Sequence, residues 1–285
     1  MRTLLVHVED FPDLPSVLKA ALVLAREFGG HIEGLYVPQG LPSMLPLSPE
    51  GGLATADVMA SLEQGAEDAA QRLRAVFERF MADDEVAMMP IGAAVDSPSA
   101  SWFEAGRPTQ DMLGARSRAF ELIVVGRPLP GQFAPSMMAL ETALFESGRP
   151  LLIVPPGAPA ETIGKKIAIA WNGSTETART IAFAMPLLVR ADEVLVISVE
   201  QGMVPGPGGQ DIAQNLTRGG IITRTRHVHS EGRSIGEAML SESRDFGADL
   251  LIKGAYTQSR LRQMIFGGAT SHILAHADLP VFMAN

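Results

Sequence analysis

From Gly254 the chain reads Gly-Ala-Tyr-Thr-Gln-Ser-Arg-Leu-Arg-Gln-Met-Ile-Phe-Gly-Gly-Ala-Thr-Ser-His. The pair Gly267-Gly268 stands ahead of Ala269-Thr270-Ser271, and an apolar-periodic helix follows through Ile273 and Leu274. A glycine-rich entry to a helix leaves backbone N–H groups unpaired at the positive end of the helix dipole. That combination holds phosphate oxygens. Thr270 and Ser271 could add hydroxyl donors, and Arg260 and Arg262 could supply charge. Gly254 closes an apolar run, Leu250-Leu251-Ile252-Lys253, where a glycine permits a tight turn and lets a ligand approach the backbone. Asn172-Gly173-Ser174 ends another apolar run in the same manner.

Other constellations carry less. Gly232-Arg233-Ser234-Ile235-Gly236 has the spacing of a nucleophile elbow, with Asp249 and His272 downstream in a hydrolase order. The run before Ser234 is polar, however, and Ser234-Ile235-Gly236-Glu237 reads as a helix capping box. His272 and His276 have a metal-binding spacing on a helix, but no Glu follows His272 and the chain contains no cysteine. His227 and His229 share one strand face and are equally weak evidence. A Gly-x-x-x-x-Gly-Lys-Ser/Thr loop is missing, and Asp211 stands where a dinucleotide fingerprint starting at Gly206 needs its third glycine. Neither a catalytic residue nor a metal ligand is expected.

The elements that position these residues come from a duplication. Leu35-Tyr36-Val37 resembles Ile197-Ser198-Val199, an offset of 162 residues from Val37 to Val199. Leu122-Ile123-Val124-Val125-Gly126 resembles Leu250-Leu251-Ile252-Lys253-Gly254, an offset of 128 from Gly126 to Gly254. The drop places an insertion at about 41–84, made of a Pro-rich loop from Leu41 to Gly52 and a long helical pattern from about Leu53 to Met81. Methionines 44, 59, 81, 88 and 89 belong to this region and its flank as adaptable core filling. The linker Pro155-Pro156-Gly157-Ala158-Pro159-Ala160 separates domains at 1–157 and 163–285. In the second domain strands are expected at 166–171, 194–199, 221–228, 249–253 and 280–284. Helices fit 175–189, 209–218, 234–246 and 268–276. Four of those strands are continuous apolar runs, as in sheets covered on both faces. The third, Thr223 to His229, is polar and belongs at an edge. Strands alternating with helices imply a doubly wound parallel sheet with ligands at the carboxyl ends of its strands.

Composition narrows the class. The 285 residues are 46% hydrophobic, ample for packed cores, and carry a formal net charge of −9 that disfavours a nucleic-acid partner. The absence of cysteine excludes disulfides, thiolate metal sites and cysteine nucleophiles. His7, Glu9 and Asp10 interrupt the apolar amino terminus, and no run reaches the ~20 residues of a bilayer span. A soluble, cytoplasmic protein with no membrane partner is expected.

The order strand, Gly-x-x-Gly, nine residues, Gly-Ser/Thr resembles the ATP-binding pattern of the universal stress protein family. The chain resembles a tandem bacterial member over its full length, most strongly from Lys166 to Asn285, including Gly232 to Ala238. The resemblance implies two flavodoxin-like (Rossmann-like) α/β domains with five-stranded parallel sheets, packed as an intramolecular pseudo-dimer through their fifth strands, Leu151–Val154 and Val281–Met283. It implies a cytoplasmic stress-response regulatory protein that binds an adenine nucleotide, ATP with magnesium, in its second domain. Gly254 takes the first glycine, Gly267 the third, and Gly268-Ala269-Thr270 the phosphate segment. Asn172, beside Gly173, takes the place of an aspartate that meets adenine, its amide oxygen accepting from the amino group; Val199 takes that of a residue whose backbone meets the base. Thr257 departs from the second glycine and Gly268 from Ser or Thr. In the first domain Gly126 to Gly131 opens the matching loop, but Ala139-Leu140-Glu141 stands at the phosphate position, where a carboxylate repels phosphate. That copy is expected to serve as a partner for the second. On nucleotide binding the loop 255–266 would order and change a surface read by a protein partner whose identity the sequence does not specify; a further homodimer is compatible with it. The alternative is a scaffold that has lost nucleotide binding. Slow ATP hydrolysis is the most enzymatic reading, and no general base is placed for it.

Overall fold

The computed structural model describes residues 1–38, 56–90, 92, 97–103, 111–129, 134–157, 161–255 and 268–285. The Pro-rich loop from Leu41 to Gly52 lies outside these, as do Thr257, Arg260, Arg262 and Gly267.

In the amino-terminal half the order is β1 (Thr3–His7), α1 (Leu14–Phe28), β2 (His31–Leu35), α2 (Ala56–Asp83), β3 (Ala87–Met88), β4 (Ser99–Phe103), α3 (Met112–Ser117), β5 (Leu122–Gly126), α4 (Met137–Glu146) and β6 (Leu151–Val154). The carboxy-terminal half follows with β7 (Lys166–Ala170), α5 (Thr175–Leu188), β8 (Glu193–Val199), a 3-10 turn (Glu200–Gly202), α6 (Gly209–Arg218), β9 (Thr223–Val228), α7 (Ile235–Phe246), β10 (Leu250–Gly254), α8 (Gly268–His276) and β11 (Val281–Ala284). The described strands form one sheet in the order β3-β4-β2-β1-β5-β6-β11-β10-β7-β8-β9. The second half reads third, second, first, fourth, fifth from its outer edge inward, which is the doubly wound order expected of alternating strands and helices.

All neighbours in this sheet run parallel except β6 and β11, which pair antiparallel with Phe282 opposite Leu152 and Val281 opposite Ile153. That pairing removes one free edge from each half. The outer edge at β9 is guarded by charge, as Arg224 pairs with Glu193 and Arg226 with Glu242. Along the inner strands successive side chains alternate between two apolar layers. Leu4, Val6, Ile167, Ile169, Leu250 and Ile252 pack beneath α1, α2, α5 and α6. Leu5, Ile123, Ala168, Leu251, Val281 and Met283 pack on the other side beneath α3, α4, α7 and α8. The long helix α2 leads from β2 through the short extra strand β3 to β4, the neighbour of β2, whereas α6 leads directly from β8 to its neighbour β9, so the first half has six strands where five were expected.

Among the described residues no helix is long and apolar enough to cross a membrane.

Candidate functional site

In the carboxy-terminal half the winding direction reverses between β7 and β10, so the crevice outside their carboxyl ends is where this fold binds ligands. Each side of that crevice is set by close packing. Trp171, fully buried at the end of β7, donates its backbone N–H to Ile197 at 2.9 Å and its Nε1–H to the Pro207 carbonyl at 2.9 Å. Asn172 then turns its side chain inward. Its Oδ1 accepts from the Ser174 N–H at 3.2 Å and from the Thr177 hydroxyl at 2.8 Å. A backbone N–H can only donate, which fixes the oxygen on that side. The oxygen expected to accept from an adenine amino group is therefore engaged by the first turn of α5, and Nδ2, a donor, has no partner among the described residues.

Gly173 has φ 86, and a Cβ there would lie 2.8 Å from the Val204 carbonyl. The strap Met203 to Gly208 thus crosses directly over Gly173, tied by Val204 N–H to the Asn172 carbonyl at 2.9 Å. Val199 is fully buried at the end of β8 and paired with Val228. Gly254 also needs its missing side chain, because a Cβ would stand 2.4 Å from the Thr177 nitrogen. The intruder at Gly254 is the start of α5 rather than a ligand.

On the other face α8 begins with Gly268, where no described residue stands within 4 Å of the place a Cβ would take. Among the described residues no side chain caps the amides of Gly268, Ala269 or Thr270. Thr270 points inward: its Oγ1 accepts from the Lys253 ammonium at 2.9 Å. Lys253 also donates to the Gly254 carbonyl at 2.8 Å and is only 8% exposed. Burial lowers its pKa from 10.5 to about 8. Sequence reading missed this residue, although a lysine inside the apolar run Leu250 to Gly254 was a visible signal. At the far end of α8, Arg127 from the other half donates to the carbonyls of Leu274 and Ala275.

The corresponding end of the amino-terminal half is closed. A Cβ on Gly126 would meet Pro135 Cγ at 2.5 Å and Phe11 Cζ at 2.8 Å. Glu9, 4% exposed, accepts the Ser136 N–H at 2.9 Å, and Ser136 in turn caps α4 through the Ala139 N–H at 3.3 Å. His7 Nδ1 lies 3.3 Å from the same carboxylate. Sequence reading placed the excluding carboxylate at Glu141. Because α4 already begins at Met137, Glu141 falls in its second turn, and Glu9, distant in sequence, holds the helix start.

The weaker constellations resolve as structure. Ser234 caps α7, accepting the Glu237 N–H at 3.1 Å while Glu237 Oε2 accepts the Ser234 N–H at 3.4 Å. His272 and His276 stack at 4.3 Å, and His276 Nδ1 bonds the His272 carbonyl at 3.0 Å. Burial and the neighbouring His276 both hold the His272 pKa down. Among the described residues no group of three or more His, Asp or Glu side chains could hold a metal ion.

Residues 164–285 match the model of the Universal stress protein family. The carboxy-terminal half is a universal stress protein domain. A universal stress protein from Archaeoglobus fulgidus DSM 4304 is similar over both halves, with a TM-score of 0.69 at 14% identity, covering 99% of this chain and 96% of that one. A protein of unknown function from Pseudomonas aeruginosa PAO1 is similar at a TM-score of 0.51 and 16% identity, covering 100% of this chain and 92% of that one. These likenesses concern the fold, and they span both halves of the chain. No curated protein sequence matches the chain.

Proposed function

We propose that the chain is a stress-response regulatory protein whose universal stress protein domain binds an adenine nucleotide, ATP with magnesium, at the carboxyl ends of β7, β8 and β10. The observation that carries this reading is the start of α8. Gly268 opens to space and the first amides lack a side-chain cap among the described residues, at the position where the family resemblance puts the phosphates. Asn172 Nδ2 and the backbone of Val199 are the groups available to the base, with Nδ2 meeting a ring nitrogen. In the same reading the halves act as a fused pair joined through β6 and β11, and the amino-terminal copy, with Glu9 on α4, binds no nucleotide. No residue is assigned a catalytic role. Occupancy would be read by a protein partner at the surface around the site.

A specific observation favours a second reading, a scaffold that acts through protein contacts without nucleotide. The strap from Met203 to Gly208 lies over Gly173, beside the position assigned to adenine. Thermal unfolding with millimolar magnesium-ATP separates the two. A ligand that binds only the folded chain raises Tm as its concentration exceeds Kd. A concentration-dependent rise supports the nucleotide reading, and an unchanged Tm leaves the scaffold.

A further inference from the structure

The geometry points to Lys253 as the internal counter-charge of the phosphate site, a positioning residue that neutralises a bound polyphosphate from beneath α8 by way of Thr270. This inference rests on the nucleotide reading above. The ammonium sits inside the apolar layer between β10 and α8, and its two partners, the Thr270 hydroxyl and the Gly254 carbonyl, are both neutral. A buried charge with only neutral partners is costly, and a well-packed apolar residue would fit the site at less expense.

No described side chain supplies the missing anion. On the helices of this face, Glu237 is bonded to the Ser234 amide, Glu242 to Arg226, and Arg244 to Asp278, while Asp245 forms no ion pair with the amine. His272 and His276 stack on one another. On α5 neither Glu176 nor Arg179 acts on it, and the adjoining sequence from Tyr256 to Gly267 contains no Asp or Glu. Thr270 lies in the first turn of α8, two residues after Gly268, where no described residue stands within 4 Å of the place a Cβ would take. Thr270 Oγ1 accepts from Lys253 and keeps its own proton as a donor. An anion seated on the amides of 268–270 would therefore receive the hydroxyl and sense the ammonium behind it. Binding and protonation of Lys253 then favour each other.

Calorimetry with magnesium-ATP, run in two buffers of different ionisation enthalpy at pH 8.5, tests this on the unaltered chain. The free amine is largely unprotonated there, since burial holds it near 8. The expected result is uptake of about half a proton per nucleotide bound. Lys253→Met should abolish that uptake and weaken ATP binding about tenfold at pH 7 while the variant stays folded. Uptake near zero in the unaltered chain, or an Lys253→Met variant that binds ATP with unchanged affinity, overturns the role of Lys253 and leaves the nucleotide reading standing. Absence of binding by the unaltered chain at millimolar ATP overturns both.

Discussion

The helices α4 and α8 follow β5 and β10, the strands that pair with the first strand of each half on the side away from the second strand, and their amino termini are treated in opposite ways. At α4 the chain supplies its own anion: Glu9, from the end of the first strand, accepts the Ser136 amide at 2.9 Å. The residue in the same place of the second half is Asn172, and it turns away from α8 to serve Ser174 and Thr177 at the start of α5. Among the described residues no side chain fills the start of α8, which lies above a buried lysine. One scaffold thus fills one helix start with a carboxylate and, among the described residues, leaves the other without one, by redirecting a single side chain. A helix terminus becomes available to a ligand only where the protein does not fill it first.

Substitution of the two strand-end glycines has the largest expected effect. At Gly254 a methyl group meets the backbone nitrogen of Thr177 at 2.4 Å, whereas at Gly126 it meets the side chains of Pro135 and Phe11. Backbone yields less than side chains, so Gly254→Ala should cost about 3 kcal/mol or more and Gly126→Ala about 1–2 kcal/mol in urea unfolding. Equal costs would remove the claim that the second end is fixed by α5 rather than by a ligand.

Next in size is the buried amine. Its folded pKa of about 8 lies below the ordinary 10.5, so between those values the unfolded chain holds a proton that the folded chain has shed. Stability should therefore rise as pH climbs from about 8 to about 10.5, by up to about 3 kcal/mol attributable to this group. Lys253→Met should be more stable than the unaltered chain at pH 7 and should lose this component of the slope, as measured by Tm against pH. A variant that gains stability while losing ligand affinity would mark a site held under electrostatic cost for function.

Smaller effects lie at the helix ends. Arg127→Met removes the guanidinium bonded to the Leu274 and Ala275 carbonyls and should cost about 2 kcal/mol in urea unfolding. Glu9→Gln keeps an acceptor at the Ser136 amide but removes the negative charge from the start of α4, for a loss of about 1 kcal/mol by the same measurement.

Much of the carboxy-terminal half could be read from the residues. Continuous apolar runs marked β7, β8, β10 and β11 because strands covered on both faces need them. A polar run marked β9 as an edge, and Ser234 announced α7 as a cap; Ser174, legible only as part of a strand end, caps α5 in the same way. The opening of α8 at Gly268 was legible from the glycine pair before an apolar period. The short strand β3 and the six-residue helix α3 carry too few residues for a period to show. The direction of Asn172 was hidden because either partner, a base or the next helix, satisfies the same amide. The grip of Glu9 on Ser136 joins residues remote in sequence, and only the fold brings them together. Lys253 needed no fold to be noticed, but its bond to Thr270 did.

The most direct test of the open-end account copies the closed end onto it. No described residue stands within 4 Å of a Cβ on Gly268, so Gly268→Asp meets no described neighbour, and its carboxylate at the start of α8 should do there what Glu9 does at α4. Isothermal titration with magnesium-ATP should give one nucleotide per unaltered chain, and Gly268→Asp should bind at least about tenfold more weakly without a loss of Tm. Two nucleotides per chain, or undiminished binding by Gly268→Asp, would contradict it.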